Sequence, residues 1–319
     1  MERKDQRIRR KVLEMIRGLF QAEIAFQEIF QKYKEGALRF SDIERWVDDR
    51  GQSILYLLKE QCHSLFRNME TGPFHKKEWL LDLVIGSIFH EAIKLRENIY
   101  QLEVYRPKYL NYHLKAGKTD YEKDYLMQFE KIISRAEQGV VEGMEETRFL
   151  FQDAKAQLLD FFKAGVEDPY LVRFLLEHQP LLKKVYGKTG TKQIFSQLFR
   201  NGFFDAFQVA GQSYLDSEHY DLSSHYFLKV RRLHPRNPEL QSLCRFSLGM
   251  DAYYRNDYPR ALSHFFKLVS HRPDGKFKKE YLRKTEEACR KMASELKEEK
   301  HLEAARKAQS IAEHVKRMV

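Results

Sequence analysis

Apolar residues recur at steps of three and four over most of the first 165 positions, the spacing that lines one face of an α-helix. From 3 to 34 the stripe is Val12, Ile16, Leu19, Phe26, Phe30 and Tyr33. A second helix is expected from Ser41, an N-cap with Glu44 three residues on, to about Asn68, before the breaking sequence Met69-Glu70-Thr71-Gly72-Pro73. A third carries Leu81, Ile85, Ile88, Ala92, Leu95, Ile99 and Leu102, with Pro107 expected to end or kink it. The fourth, from about Tyr121 to Lys163, keeps the rhythm through Phe129, Ile133, Ala136, Val140, Gly143, Thr147, Leu150 and Ala154. At about 1.5 Å per residue it would be roughly 60 Å long. Such seams require partner helices, and four of them predict an antiparallel bundle or elongated hairpins.

After Gly165, Asp168-Pro169 opens a short helix, and Gly187-Lys188-Thr189-Gly190 is the most loop-like stretch that follows. The expected division is a helical bundle over 1–165, a helical connector over 166–190 and a third region over 191–319. That region repeats itself. Phe207, Ala210-Gly211, Tyr214, Tyr220, Ser223, Phe227, Val230 and Pro235 are followed, 38 residues on, by Leu248-Gly249, Tyr253, Tyr258, Ala261, Phe265, Leu268 and Pro273. The spacing suits a helix–turn–helix unit: glycine lets a second helix approach, Ser223 or Ala261 sits where the helices cross, and proline ends the unit.

Both copies resemble the tetratricopeptide repeat, whose pattern runs Trp, Leu-Gly, Tyr, then Tyr, Ala, Phe, then Pro. They are diverged copies. Phe207 and Arg245 stand where the family most often has Trp, and Ala252 replaces Tyr214 with Tyr253 one residue later. A usual unit is about 34 residues, so the longer step implies roughly four extra residues at Pro235-Arg236-Asn237-Pro238. Two repeats alone are marginal, and residues 282–317, with Ala288, Met292-Ala293, Leu296, Leu302, Ala305 and Ala312, supply a third, basic and polar-faced capping unit. The resemblance implies a partner-binding groove lined by the first helix of each unit: Gln208, Gln212 and Leu215 beside Phe246, Met250, Tyr253 and Tyr254. Family members that grip a terminal carboxylate use Lys, Asn and Arg there. Gln208, Gln212 and Ser247 stand in their place, so an extended or helical apolar segment is the expected ligand. Packing against the N-terminal bundle is the alternative role for Tyr253 and Tyr254.

Composition changes this picture little. Eight Pro and 15 Gly in 319 residues agree with a helical protein, and no apolar run approaches the roughly 18 residues of a membrane span. The charged start, Met1-Glu2-Arg3-Lys4, reads as no signal segment, so the cytoplasm is the expected compartment. Cys62, Cys244 and Cys289 are odd in number and unclustered, so reduced thiols are expected. Glu60 and His63 have the Glu-x-x-His spacing of di-iron bundles and Glu23 lies on the first stripe. His63, however, points nearly opposite the face of Ile54, Leu58 and Leu65, and the fourth helix has no matching pair. His90-Glu91 lacks the second His of a zincin, because Lys94 stands there. Gly187-Lys188-Thr189 lacks the glycine and strand of a phosphate loop, since Leu182 stands at the glycine position. Serines show no nucleophile elbow, and Glu145-Glu146 lies in a solvated charge run.

The net charge of +10 raises polyanions as partners. Basic clusters occur at Arg3, Lys4, Arg7, Arg9, Arg10 and Lys11 and at Lys276, Lys278, Lys279, Arg283 and Lys284, without a known nucleic-acid module. The expectation is therefore an all-α protein, an N-terminal bundle of long helices followed by a short tetratricopeptide-like array. It would be a non-enzymatic scaffold or adaptor for a protein or peptide, with no cofactor, metal or small-molecule substrate. A basic helical protein that binds nucleic acid or an anionic membrane surface is the alternative.

Overall fold

The computed structural model describes residues 2–48, 52–67, 75–115, 118–271, 277 and 279–318. The chain is all-α: among the described residues there are thirteen helices and no strand. They divide into two compact units, one of residues 1–165 and 178–191, the other of 166–177 and 192–319. The stretch 166–190, expected as a connector, is thus shared between them.

In the first unit, α1 (Glu2–Lys34), α2 (Phe40–Val47), α3 (Ile54–Arg67), α4 (His75–His113) and α5 (Asp120–Ala164) follow one another. The seams of α4 and α5 pack on each other along their lengths. Ile85, Ile88, Ala92, Leu95, Ile99 and Leu102 are buried on α4, as are Phe129, Ala136, Val140, Gly143, Thr147 and Ala154 on α5; Ile133 and Leu150 are half-buried. Gly139 and Gly143 allow the approach, since a Cβ on Gly139 would strike the Asn98 side chain and one on Gly143 would touch Leu95. Thr119 caps α5, accepting from the Glu122 amide at 3.3 Å while the Glu122 carboxylate accepts from the Thr119 amide at 2.9 Å.

Three expectations need correction. The helix foreseen from Ser41 is two: Asp48 leaves helical geometry at ψ 134°, and Ser53 restarts the chain, donating to the Asp48 carbonyl and accepting from the Tyr56 amide. The cap of α2 is made by Asp42, which accepts from the Arg39 amide at 3.1 Å, rather than by Ser41. Pro107 does not end α4, which continues to His113. Asn68 and the break at 69–73 lie outside the described residues.

Trp46, the largest fully buried side chain, pins three helices. Its indole donates to the Ala22 carbonyl at 3.1 Å, and its rings form a three-way cluster with Phe26 of α1 and Phe151 of α5, at 5.4 Å and 6.4 Å, the two phenylalanines stacking at 5.4 Å. One turn away, buried Glu23 accepts from Lys155 of α5 at 2.7 Å. Glu23 is thus half of an ion pair. Burial raises its carboxyl above the usual range and Lys155 pulls it back down. The folded state therefore holds that proton more tightly than the unfolded chain, a contribution to stability lost as pH rises through the folded value. In α7 (Gln179–Leu198) the foreseen loop reduces to one residue, Gly187, at φ 73° and ψ 170°. The preceding stretch belongs to this unit through Tyr186, edge-on to Phe20 at 5.9 Å.

In the second unit, α6 (Pro169–Glu177) and the end of α7 precede three hairpins: α8 (Phe203–Asp216) with α9 (Tyr220–Leu233), α10 (Pro238–Tyr254) with α11 (Tyr258–Ser270), and α12 (Lys279–Glu298) with α13 (Leu302–Met318). The first two pairs hold the two copies of the repeat, and Asn237 caps α10, accepting from the Leu240 amide at 3.2 Å. One continuous core runs from Leu215 to Val315. Because α10 lies along α9 as closely as along α11, the first two hairpins stack. The third touches the second mainly through α10–α12 and α11–α13.

Lys155→Met leaves a carboxylate that is 5 % exposed without its partner. It is expected to lower stability by about 3 kcal/mol, and Glu23→Leu added to it should restore most of the loss. Urea unfolding followed by tryptophan fluorescence reads this directly, since both tryptophans lie in the N-terminal unit.

Candidate partner-binding groove

The glycines foreseen at helix crossings are there. A Cβ on Gly211 would lie 3.0 Å from the Phe227 ring, and one on Gly249 would lie 2.6 Å from Phe265 Cδ1. Both rings are fully buried. Ser223 donates to the Gly211 carbonyl at 3.0 Å and meets Ser247 Oγ at 3.0 Å, so one hydroxyl joins α8, α9 and α10. Ala261, its counterpart 38 residues on, is fully buried and makes the same crossing without a hydroxyl.

The turns also repeat. Glu218, Asn256 and Lys300 take the left-handed conformation at φ 59°, 58° and 64°. After each, an amide closes back to the helix: His219 to the Tyr214 carbonyl at 2.9 Å, Asp257 to Ala252 at 2.9 Å, His301 to Leu296 at 2.8 Å. This is a Schellman-type closure, usually marked by glycine. Here Glu, Asn and Lys give no such mark, so sequence reasoning missed all three.

Other repeat positions take individual roles. Buried Tyr214 gives its hydroxyl to Glu177, stacks on Tyr226 at 5.7 Å and carries the Arg173 guanidinium over its ring at 4.5 Å. Burial pushes the Tyr220 hydroxyl up to about 12, and its ring stacks on Tyr254 at 5.5 Å. Tyr258 donates to Glu295, and that bond, ahead of burial, raises it to about 12. The Pro235 carbonyl accepts from Gln241 at 2.6 Å; Pro273 lies outside the described residues.

The groove itself differs from expectation. Leu215, Phe246 and Met250 are 2 %, 0 % and 3 % exposed and belong to the core. Phe246 is covered by the chain's own segment around the start of α12: Phe277 is edge-on to it at 6.1 Å, and Tyr281 lies 4.9 Å from it. Gln212 is engaged as well, donating to the Tyr281 hydroxyl at 2.7 Å and to Asp216 at 2.8 Å. Lys284 pairs with Glu218 at 2.8 Å, chiefly through that bond held above its usual range. Gln208 and Tyr253 remain half-buried and Tyr254 is 61 % exposed. The structure therefore brings Gln212 and Phe246 together as the seat of α12. Tyr253 and Tyr254 form the exposed aromatic edge.

Elsewhere, Cys62, Cys244 and Cys289 are buried and free, with burial pushing the Cys289 thiol up to about 12. Among the described residues no three His, Cys, Asp or Glu gather as a metal-binding group, and no helix is long and apolar enough to cross a membrane. No protein-family model, no curated protein and no solved structure matches this chain.

Alanine at the two crossings should cost stability in the order of their clearances: about 1–3 kcal/mol at Gly249 and less at Gly211. Gly86→Ala in α4, where a Cβ meets nothing within 4 Å, should instead stabilise by about 0.5–1 kcal/mol. Thermal melts of the three variants check the order; a harmless Gly249→Ala would contradict the crossing.

Proposed function

We propose that this chain is a non-catalytic scaffold or adaptor. Its C-terminal hairpins, read as diverged tetratricopeptide-like repeats following a bundle of long helices, hold a protein or peptide partner. The observation that carries this reading is one contact made twice: Gly211 under Phe227 and Gly249 under Phe265, 38 residues apart, each followed by the same left-handed turn. Stacked repeats bury their faces in each other and leave the outward side of their first helices for a ligand.

Since α12 covers Gln212 and Phe246, the surface left for the partner is the edge at Tyr253 and Tyr254. Tyrosine suits such an edge, combining large contact area with low conformational cost and a hydroxyl for orientation. Phe246 is excluded from the contact by its burial, so its loss would report on folding.

The test immobilises wild-type and Tyr253→Ala/Tyr254→Ala chains, exposes both to source-cell lysate and quantifies the captured proteins by mass spectrometry. A partner held at the aromatic edge should be retained about tenfold less by the variant, about 1.4 kcal/mol, with circular dichroism showing both chains folded at the capture temperature. Equal capture by two equally folded chains would exclude this edge as the binding surface.

A further inference from the structure

The second repeat differs from the first at one position with an electrostatic consequence. In the first, Lys229 stands over the Phe207 ring at 5.1 Å. The equivalent residues 38 further on are Lys267 and Arg245, so a second cation replaces the aromatic, and Arg245 donates to the Lys267 main-chain carbonyl at 3.0 Å. Because α9 and α10 are successive antiparallel helices, the C-terminal residues Arg231 and Arg232 of α9 fall at the same end, as does Arg236 in the turn.

No ion pair neutralises this group: among the described residues none of Lys229, Arg231, Arg232, Arg236, Arg245 and Lys267 makes one; Arg260, nearby on α11, has Asp257 at 4.0 Å. Burial lowers the proton affinity of half-buried His264, and the cations Lys267, Arg260, Arg231 and Arg245 lower it further. The C-termini of α9 and α11 and the N-termini of α8 and α10 meet here and their dipoles offset, while Asp205 and Glu239 contribute two negative charges. Against six positive charges, a net of roughly four remains.

We propose that this end of the C-terminal hairpins binds the phosphodiester backbone of a single-stranded nucleic acid, a function separate from partner capture at Tyr253 and Tyr254. Four of the six cations are arginines, whose planar fork matches a phosphate. Phe266 on α11 is 52 % exposed, with Lys307 of α13 over its ring at 5.7 Å, and the ring can stack on a base with that cation beside it. An anionic membrane would require a contiguous apolar face to insert. The exposed apolar residues at this end, Leu233 and Phe266, are single side chains on different helices.

The test is fluorescence anisotropy of a labelled 20-nucleotide oligouridine titrated with the full chain at about 50 and 200 mM salt. Three phosphate contacts at about 0.7 counterion each predict roughly twentyfold weaker binding at the higher salt. Arg232→Gln/Lys267→Gln, at two exposed positions, should weaken binding about tenfold and flatten the salt dependence at an unchanged melting temperature. Arg236→Gln in the turn is a second variant independent of helix packing and should weaken binding in the same direction. Arg9→Gln/Arg10→Gln, in the other unit, should bind as wild type. No saturable binding at 50 mM salt overturns the proposal, as does equal binding by the patch variants or loss only in the Arg9/Arg10 variant. Binding to phosphatidylserine vesicles without binding to the oligonucleotide also overturns it.

Discussion

A phenylalanine ring filling the space where a glycine lacks its Cβ is the contact on which the C-terminal unit depends. Each of Phe227 and Phe265 is fully buried, worth about 1.5–3 kcal/mol over an exposed ring; a Cβ on Gly249 would collide with Phe265, and one on Gly211 would crowd Phe227 at 3.0 Å. The close approach also lets Ser223 reach both the Gly211 carbonyl and Ser247, so α10 is set against the first hairpin. With α10 fixed, Phe246 faces the start of α12, and Tyr281 reaches back to Gln212. The third hairpin is therefore held by aromatic and hydrogen-bond contacts that the first two create.

The N-terminal unit follows a different rule. Its long helices meet along seams of regularly spaced apolar residues, and specificity is concentrated in a few places. Trp46 with Phe26 and Phe151 joins α1, α2 and α5, and the Glu23–Lys155 pair joins α1 to α5. A buried ion pair adds little net stability but strongly disfavours any register that separates its members.

Where the chain alone was informative, periodicity was the reason. The seams of α4 and α5, the four helices of the first two hairpins and the glycine contacts follow from spacing, because each depends on residues within one helix or one hairpin. What failed was nonlocal or unmarked. The end of α2 at Asp48 is set by backbone geometry and a serine cap, and the turns at Glu218, Asn256 and Lys300 use left-handed residues other than glycine. The aromatic assignment failed for the same reason. Phe246 and Tyr254 look equally suited to a groove, but one is covered by Phe277 and Tyr281 from beyond the second hairpin and the other is not. The cationic end was equally hidden, since Arg231, Arg245 and Lys267, on α9, α10 and α11, come together around His264 only when the hairpins stack.

The most direct test of the repeated packing is an NMR spectrum of the full chain with labelled glycine and phenylalanine. Rings seated on Gly211 and Gly249 require upfield-shifted Hα resonances for both glycines and cross-peaks to Phe227 and Phe265 ring protons, each set abolished by the matching Phe→Leu substitution. If neither glycine shows them, or only one does, the two hairpins do not share one packing and the repeat reading is contradicted.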